Sequence, residues 1–335
     1  MIEENKNSNK DSENNFEYKL IIGYLLCPDV VLENTLDRNI INLMLETGKV
    51  EVLELNLEDI YFEFFNSSSK SNMGLKVFHK NKEIHLDGFI AYGYMSSFHH
   101  KAYNYIVATL HDFGVCCLYS PEEENILNDK YLQNIKYSSH GIPIPPTTIG
   151  FSFSSIKEIN EKYYPEKSII KLLNNEYGAD GVFVNKGKAD ALKYSSKFFW
   201  SQKYSLFQTF VDDSPGKSIR VLVVNGKSVA CAEFVDKSGS PLSNINFSSE
   251  LASLDSKMDS PKLNEYYDLA ERTVKSIGNL LIAGVDIIDS PKYGLLVLEA
   301  NLFPDIYQIS ESTNIPCPKI FATAFVEKVE KSLKK

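Results

Sequence analysis

The chain has 335 residues, 43% hydrophobic and 24% charged, the balance of a soluble globular protein with room for two or three domains. Its formal net charge of -9, from 35 Lys and Arg against 44 Asp and Glu, argues against nucleic acid or an anionic membrane as a partner. One-sided positive charge supplies most of the affinity for either. No stretch of 18 apolar residues predicts a membrane span, and the acidic, polar residues 1–16 read as a disordered tail without a signal peptide. The five cysteines (Cys27, Cys116, Cys117, Cys231 and Cys317) are odd in number and lack CxxC spacing. Four of them lie in apolar runs, which favours reduced, buried thiols and a cytoplasmic protein. Only Arg38, Arg220 and Arg272 are arginines.

In chain order, the apolar run at 18–26 predicts a strand and the helical spacing of Leu36, Ile40, Ile41, Met44 and Leu45 a helix over 33–46, stopped at Gly48. Strands at 50–55, 87–92 and 114–119 and a helix at 101–113 complete a small open α/β domain. The turn after the first strand is CPDVV and not GxGxxG, so a dinucleotide site is not expected there. Residues 66–72 (NSSSKSN) read as a surface loop. A helix over 126–138 then runs into GIPIPPTT, a proline-rich connector that cannot be helical. Next come a helix, two strands around a glycine-containing turn at 168–184, a second helix, and a strand at 204–211. The remainder predicts strands at 219–224 and 228–235, a polar loop, a helix at 263–277, apolar strands at 280–288 and 295–300, and a closing helix at 318–331. The chain is thus α/β and α+β, with a tail at 1–16, an N-terminal domain at 17–125, a central domain at 126–207 and a C-terminal domain at 208–335. The C-terminal domain is built on antiparallel strands.

The strongest chemical signal is GVDIIDSPKYGLLVLEAN, 284–301. A hairpin turning near Lys292 sets Asp286 opposite Glu299, with Asn301 two residues further on the same face. Carboxylates on otherwise apolar strands are costly unless compensated, and Mg²⁺ is one compensation; a hairpin with one solvated face is the other reading. Lys171 stands mid-strand in SIIKLL, and Lys130 opens a helix in NDKYL. Between the strands at 169 and 182, NNEYGADG carries Gly178 and Gly181, which would let backbone amides approach a phosphate. Arg220 in KSIRVLVV heads a strand, where its fork of donors could hold a carboxylate or phosphoryl group, or make a surface ion pair.

Five segments in order resemble the ATP-grasp superfamily, and within it the RimK-type carboxylate–amine ligases: DKYLQNIKYSSHGIPIPPT, SIIKLL with GADGVFV, LFQTFVDD, IRVLVVNGKSVAC, and AGVDII with GLLVLEANLFP. The resemblance covers about 120–330 and implies the ATP-grasp fold. It implies an enzyme that forms an amide or peptide bond through an acyl phosphate. Lys130 and Lys171 would bind ATP phosphates, helped by Gly178 and Gly181. Gln208, Thr209, Phe210 and Val211 would hold adenine, with Asp212 or Asp213 near the ribose. Asp286, Glu299 and Asn301 would bind two Mg²⁺ ions, with Mn²⁺ able to substitute. Arg220 and Lys171 would be catalytic, and Arg220, Ser243 and Asn244 would meet the substrate. That substrate would be a small-molecule amino acid, a peptide or a carrier protein, and a homo-oligomer is compatible with the family.

The chain departs from the family at four places. Thr209 and Ser218 stand where acidic residues are usual, Ser243 and Asn244 have no Arg or His nearby, and LFPD follows Asn301 in place of small residues. The acceptor side has therefore diverged from glutamate added to a ribosomal protein or an acidic carrier. Two alternatives share the motifs: an ATP-grasp kinase of an inositol phosphate or other small molecule, and a degenerate nucleotide-binding scaffold. Residues 236–262 hold only Lys237, Lys257 and Lys262, too few cations for an inositol phosphate, and the intact Asp286, Glu299 and Asn301 argue against a scaffold.

Overall fold

The apolar run after Tyr18 becomes β1 (Leu20–Leu25), with Ile22 and Tyr24 wholly buried, as expected of a strand covered on both faces. This computed structural model describes residues 18–26, 34–66, 73–92, 97–163, 167–173, 181–236, 249–254 and 260–334; the tail expected at 1–16 and Cys27 lie outside them. Around β1 the parallel sheet runs β2 (Val50–Leu55), β1, β6 (Gly88–Ala91), β7 (Cys116–Cys117). Helices α1 (Asn34–Leu45) and α2 (Ser97–Asp112) connect these strands.

Between β2 and β6 the chain builds an antiparallel sheet that the sequence reading did not foresee: β3 (Ile60–Asn66), β4 (Met73–His79) and β5 (Lys82–Ile84). Asn66, expected in a loop, ends β3, and residues 67–72 lie outside the described set.

The helix expected over 126–138 is two helices, α3 (Pro121–Leu127) and α4 (Lys130–Ser139). Asp129 is extended (φ -124°, ψ 110°), and its carboxylate accepts from the amides of Tyr131 (2.7 Å) and Leu132 (3.1 Å). That cap starts a new helix at Lys130.

The central sheet is antiparallel throughout, in the order β10 (Val182–Asn185), β9 (Ser168–Leu172), β11 (Ser205–Thr209), β8 (Thr147–Ile149). Strand alternation sends Ile170, Leu172 and Phe207 into a core with α5 (Phe153–Tyr163) and α6 (Lys188–Trp200). Ile169, Lys171, Val182 and Gln208 face the opposite way, into a cleft.

The C-terminal sheet is ordered β14 (Ser249–Ser253), β13 (Lys227–Asp236), β12 (Lys217–Val224), β15 (Ile282–Ser290), β16 (Gly294–Asn301). The β12–β13 turn is Asn225-Gly226, both at positive φ (50° and 73°), the conformation a two-residue hairpin turn requires. Helix α7 (Ser260–Ile277) packs on this sheet and on α4. Helices α8 (Ile306–Thr313) and α9 (Cys317–Ser332) close the chain, α9 against α1.

The N- and C-terminal sheets share one core that runs from Ile22 and Tyr24 to Val221, Val285, Phe321 and Phe325, whereas the central sheet has a core of its own. At the joint, the buried Tyr119 hydroxyl donates to the carbonyls of Ile282 (3.0 Å) and Leu302, and Tyr92 donates to Pro304. The C-terminal ends of β6 and β7 thereby hold the segment that follows β16. Tyr119→Phe removes a buried donor from two carbonyls and should cost on the order of 1–3 kcal/mol, read as a lower denaturation midpoint. An unchanged midpoint would show that the tyrosine does not join the two sheets.

Candidate active site

The cleft lies between the outer face of the central sheet and the C-terminal sheet. Gln208, Thr209, Phe210 and Val211 line it from β11 and the residues after it, and Lys171, Asp286 and Glu299 also border it. Lys171 and the 208–211 segment, far from the hairpin in sequence, are thus gathered with it in one cavity.

Register explains the convergence. Arg220 pairs with Asp286 across β12 and β15, and Asp286 pairs with Glu299 across β15 and β16. Arg220 stands in the middle of β12 and not at its head. Its guanidinium grips both oxygens of Asp286, Nε to Oδ1 at 2.6 Å and NH2 to Oδ2 at 2.7 Å, and stacks on the Phe234 ring at 4.8 Å. Asn301 Nδ2 donates to Asp286 Oδ2 at 2.9 Å, and Lys130 Nζ lies 3.8 Å from Glu299 Oε2. Lys130 reaches the cleft because its own amide bonds the Leu173 carbonyl (2.9 Å), which ties the start of α4 to the end of β9.

The ionisation states follow from this clustering. Burial opposes the charge of Glu299, yet Lys130, Lys171 and Arg220, with a hydrogen bond from Asn301, hold its carboxyl below the usual range. Burial lowers the Lys171 ammonium, a shift reinforced by Lys130 and opposed by Glu299 and Asp286. Three cations stand against two carboxylates, so the group retains positive charge suited to an anionic ligand.

Other expected residues fall elsewhere. Asp213 turns from the cleft: its carboxylate accepts from the Ser290 hydroxyl (2.7 Å) and the Lys292 amide (2.9 Å) and so anchors the β15–β16 turn. Gly181 is buried immediately before β10, and Gly178, Ser243 and Asn244 lie outside the described residues. The sequence reading missed the apolar walls: Ile169 and Val182 on one side, Ile288 and Leu298 on the other. Leu298 is the extra residue of a β-bulge between Asp286/Ile287 and their partners Glu299/Val297, so it lines the cleft together with Glu299. Strand alternation could have identified Ile169, two residues from Lys171; nothing in the pattern marks the bulge.

Residues 128–323 match the RimK-like ATP-grasp domain, more than half of the chain. The protein belongs to the RimK-like ATP-grasp family. A Desulfotalea psychrophila protein described as a probable alpha-L-glutamate ligase is 34% identical over 194 residues, a match spanning 58% of this chain and 39% of that relative. The chain thus spans about two fifths of the length of this curated relative. The fold is that of the D-alanyl-alanine synthetase A of Vibrio cholerae (TM-score 0.68, 15% identity, 95% of this chain and 99% of that one). It is also that of the ATP-grasp ligase PsnB complexed with a minimal precursor (TM-score 0.64, 14% identity, 93% of this chain and 100% of that one). ATP-grasp architecture accounts for the arrangement of all three modules.

The Glu299 shift gives a pH test on the unliganded protein. A carboxyl with a depressed folded pKa stabilises the fold above its unfolded value, about 4.3, and loses that contribution as pH falls through the lower folded value. The unfolding free energy of wild type relative to Glu299→Gln should therefore fall as pH drops from about 5 to about 3. A difference that stays flat over that interval would contradict the charge network.

Proposed function

We propose that the protein is an ATP-dependent carboxylate–amine ligase that forms an amide or peptide bond on an amino acid, a peptide or a carrier protein. The observation that carries this reading is the buried Arg220–Asp286 pair, set beside Glu299, Asn301 and Lys130 and facing Lys171 across one cleft. The family membership supports it, as do the ligase description of the Desulfotalea relative and the peptide held by PsnB.

Adenine would lie between Ile169 and Val182 on one side and Ile288 and Leu298 on the other, its edge meeting the backbone of 208–211. With Asp213 committed to the hairpin turn, the adjacent Asp212 is the carboxylate left for the ribose. Lys130 and Lys171 would hold the phosphates, helped by the backbone amides of Gly178 and Gly181.

Asp286, Glu299 and Asn301 offer two carboxylates and an amide oxygen. Among the described residues no cluster of three or more His, Cys, Asp or Glu could hold a metal ion by itself. Such a sparse oxygen set fits Mg²⁺, which keeps waters and takes further ligands from phosphates. Two ions, replaceable by Mn²⁺, would supply charge neutralisation of the triphosphate.

The substrate carboxylate attacks the γ-phosphorus and ADP leaves. The amine then attacks the acyl carbon, loses a proton and expels phosphate. Arg220 would orient the carboxylate and stabilise charge on the transferred group, and Lys171 would stabilise the leaving phosphates. No nucleophilic side chain is required. No helix among the described residues is long and apolar enough to cross a membrane, and Cys116 and Cys117 are free thiols; both features are compatible with the cytoplasmic location we propose, as is a homo-oligomer.

The deciding experiment measures phosphate release from ATP across a panel of amino acids and peptides, with hydroxylamine present to trap an acyl phosphate as a hydroxamate. We expect a hydroxamate of the true acid substrate, and Arg220→Lys should cut its formation roughly tenfold or more because lysine cannot span two acceptors. A stable phosphorylated product without free phosphate or hydroxamate would establish a kinase instead. Lys171→Ala should weaken ATP binding while leaving adenosine binding near wild type. Equal loss of both, measured by calorimetry, would assign the lysine to folding and not to phosphates.

A further inference from the structure

Gln133 lies on α4 three residues after Lys130, one helical turn along the same face. It is 1% exposed, yet every polar atom of its amide is engaged. Nε2 donates to the carbonyls of Leu127 (2.8 Å) and Ala300 (3.0 Å). Oε1 accepts from the Ala300 amide (2.9 Å) and from the Tyr137 hydroxyl (2.8 Å).

Ala300 is the residue between Glu299 and Asn301, and β16 is the outermost strand of its sheet. An edge strand presents backbone groups that no neighbouring strand pairs. At Ala300 the Gln133 side chain takes the place of that missing strand, bonding both the N–H and the C=O. Without it, the two peptide planes on either side of Ala300 would be framed by β15 alone, and their rotation would swing Glu299 and Asn301 together. The Tyr137 hydroxyl, whose pKa burial pushes well above the usual tyrosine value, stays protonated and donates to Oε1, which fixes the amide in one of its two orientations.

We infer that Gln133 is a positioning residue for the metal and phosphate site: it clamps the edge strand at Ala300 and so holds the Glu299 carboxylate and the Asn301 amide in the orientation that receives Mg²⁺ with ATP. The inference rests on the reading of the cleft as an ATP site. One turn of α4 then serves the hairpin twice, through the Lys130 charge on Glu299 and through the Gln133 amide on the next residue.

Two substitutions test it. Gln133→Met keeps the side-chain volume and removes all four hydrogen bonds. Gln133→Glu keeps the shape, and only its protonated form can both donate to the Ala300 carbonyl and accept from the Ala300 amide. Burial will raise that carboxyl, so its restored state is reached by lowering the pH from about 8 to about 6.

In nucleotide-free protein we expect hydrogen exchange at the Ala300 amide to quicken roughly tenfold or more in Gln133→Met, with exchange in the β12 core unchanged. Calorimetry should show the gain in ATP affinity on adding Mg²⁺ reduced roughly tenfold or more, the size of loss typical when a ligand's supporting partner is removed, with adenosine binding unaltered. In Gln133→Glu that gain should return toward wild type as pH falls, which a loss of packing alone would not do. If Gln133→Met does not fold, Gln133→Glu carries the test by its pH profile. A folded Gln133→Met with the wild-type gain from Mg²⁺, or a Gln133→Glu that stays impaired at every pH, overturns the inference. A wild-type protein whose ATP affinity does not respond to Mg²⁺ overturns the reading of the cleft, and this inference falls with it.

Discussion

A buried guanidinium gripping a buried carboxylate is the constraint around which the C-terminal sheet is arranged. Taking Arg220 and Asp286 out of water costs several kcal/mol per ion, a penalty offset only where geometry and further hydrogen bonds are good. Here register supplies the geometry, because β12 and β15 place the two side chains directly across from each other. Phe234 supplies a ring face under the guanidinium. Gly284 supplies room: a Cβ there would lie 2.7 Å from Pro304 Cβ and 3.4 Å from Arg220 Cδ, so the position tolerates no larger residue while the arginine lies along the sheet. Removing either partner would leave the other charge buried and unpaired, at about 3–5 kcal/mol. The pair also uses both oxygens of Asp286, so a bound cation has to share that carboxylate with arginine.

The cleft exists because its two walls do not share a core. Ile156, Ile159, Phe198 and Phe207 close the central sheet against its own helices, while the N- and C-terminal sheets are fused through Tyr92, Tyr119 and the residues after β16. The contacts between the two bodies include the Tyr131 ring of α4 against Phe151. On one wall the Lys130 ammonium meets Glu299, and the Lys130 amide reaches across to hold the Leu173 carbonyl. The cleft between them combines the charges of Lys171, Asp286 and Glu299 with apolar walls, and a ligand can enter it without displacing a packed core.

How much of this was legible in the sequence depended on periodicity. Strands that are long apolar runs, such as 50–55 and 282–290, and helices with a clear stripe, such as 34–45, declare themselves. Asp286 and Glu299 were legible as a pair because a hairpin's centre sets its register. The small antiparallel sheet at 60–84 was not, since IYFEFF has no turn signal before it and the loop beyond it is all polar. The break at Asp129 was hidden because the apolar spacing of α3 continues into α4. Only the cap, a local hydrogen-bonding choice, separates them. The contact of the Asp213 carboxylate with the β15–β16 turn was hidden for a related reason, because it joins residues nearly eighty positions apart.

The charge around the cleft is unevenly spread. Thr209 and Ser218, both neutral, line it from opposite sheets. Negative charge lies behind Arg220. The LFPD segment after Asn301 carries Asp305, whose carboxylate caps α8 through the Gln308 amide (3.0 Å) and acts electrostatically on Arg220. Leu302 and Phe303 of the same segment pack into the shared core beside Tyr92 and Tyr119, so this acid sits on a firmly held backbone. The cleft keeps its cations while Arg220 has anionic partners both on the sheet and behind it. That combination favours an acidic ligand without releasing Arg220 from the sheet.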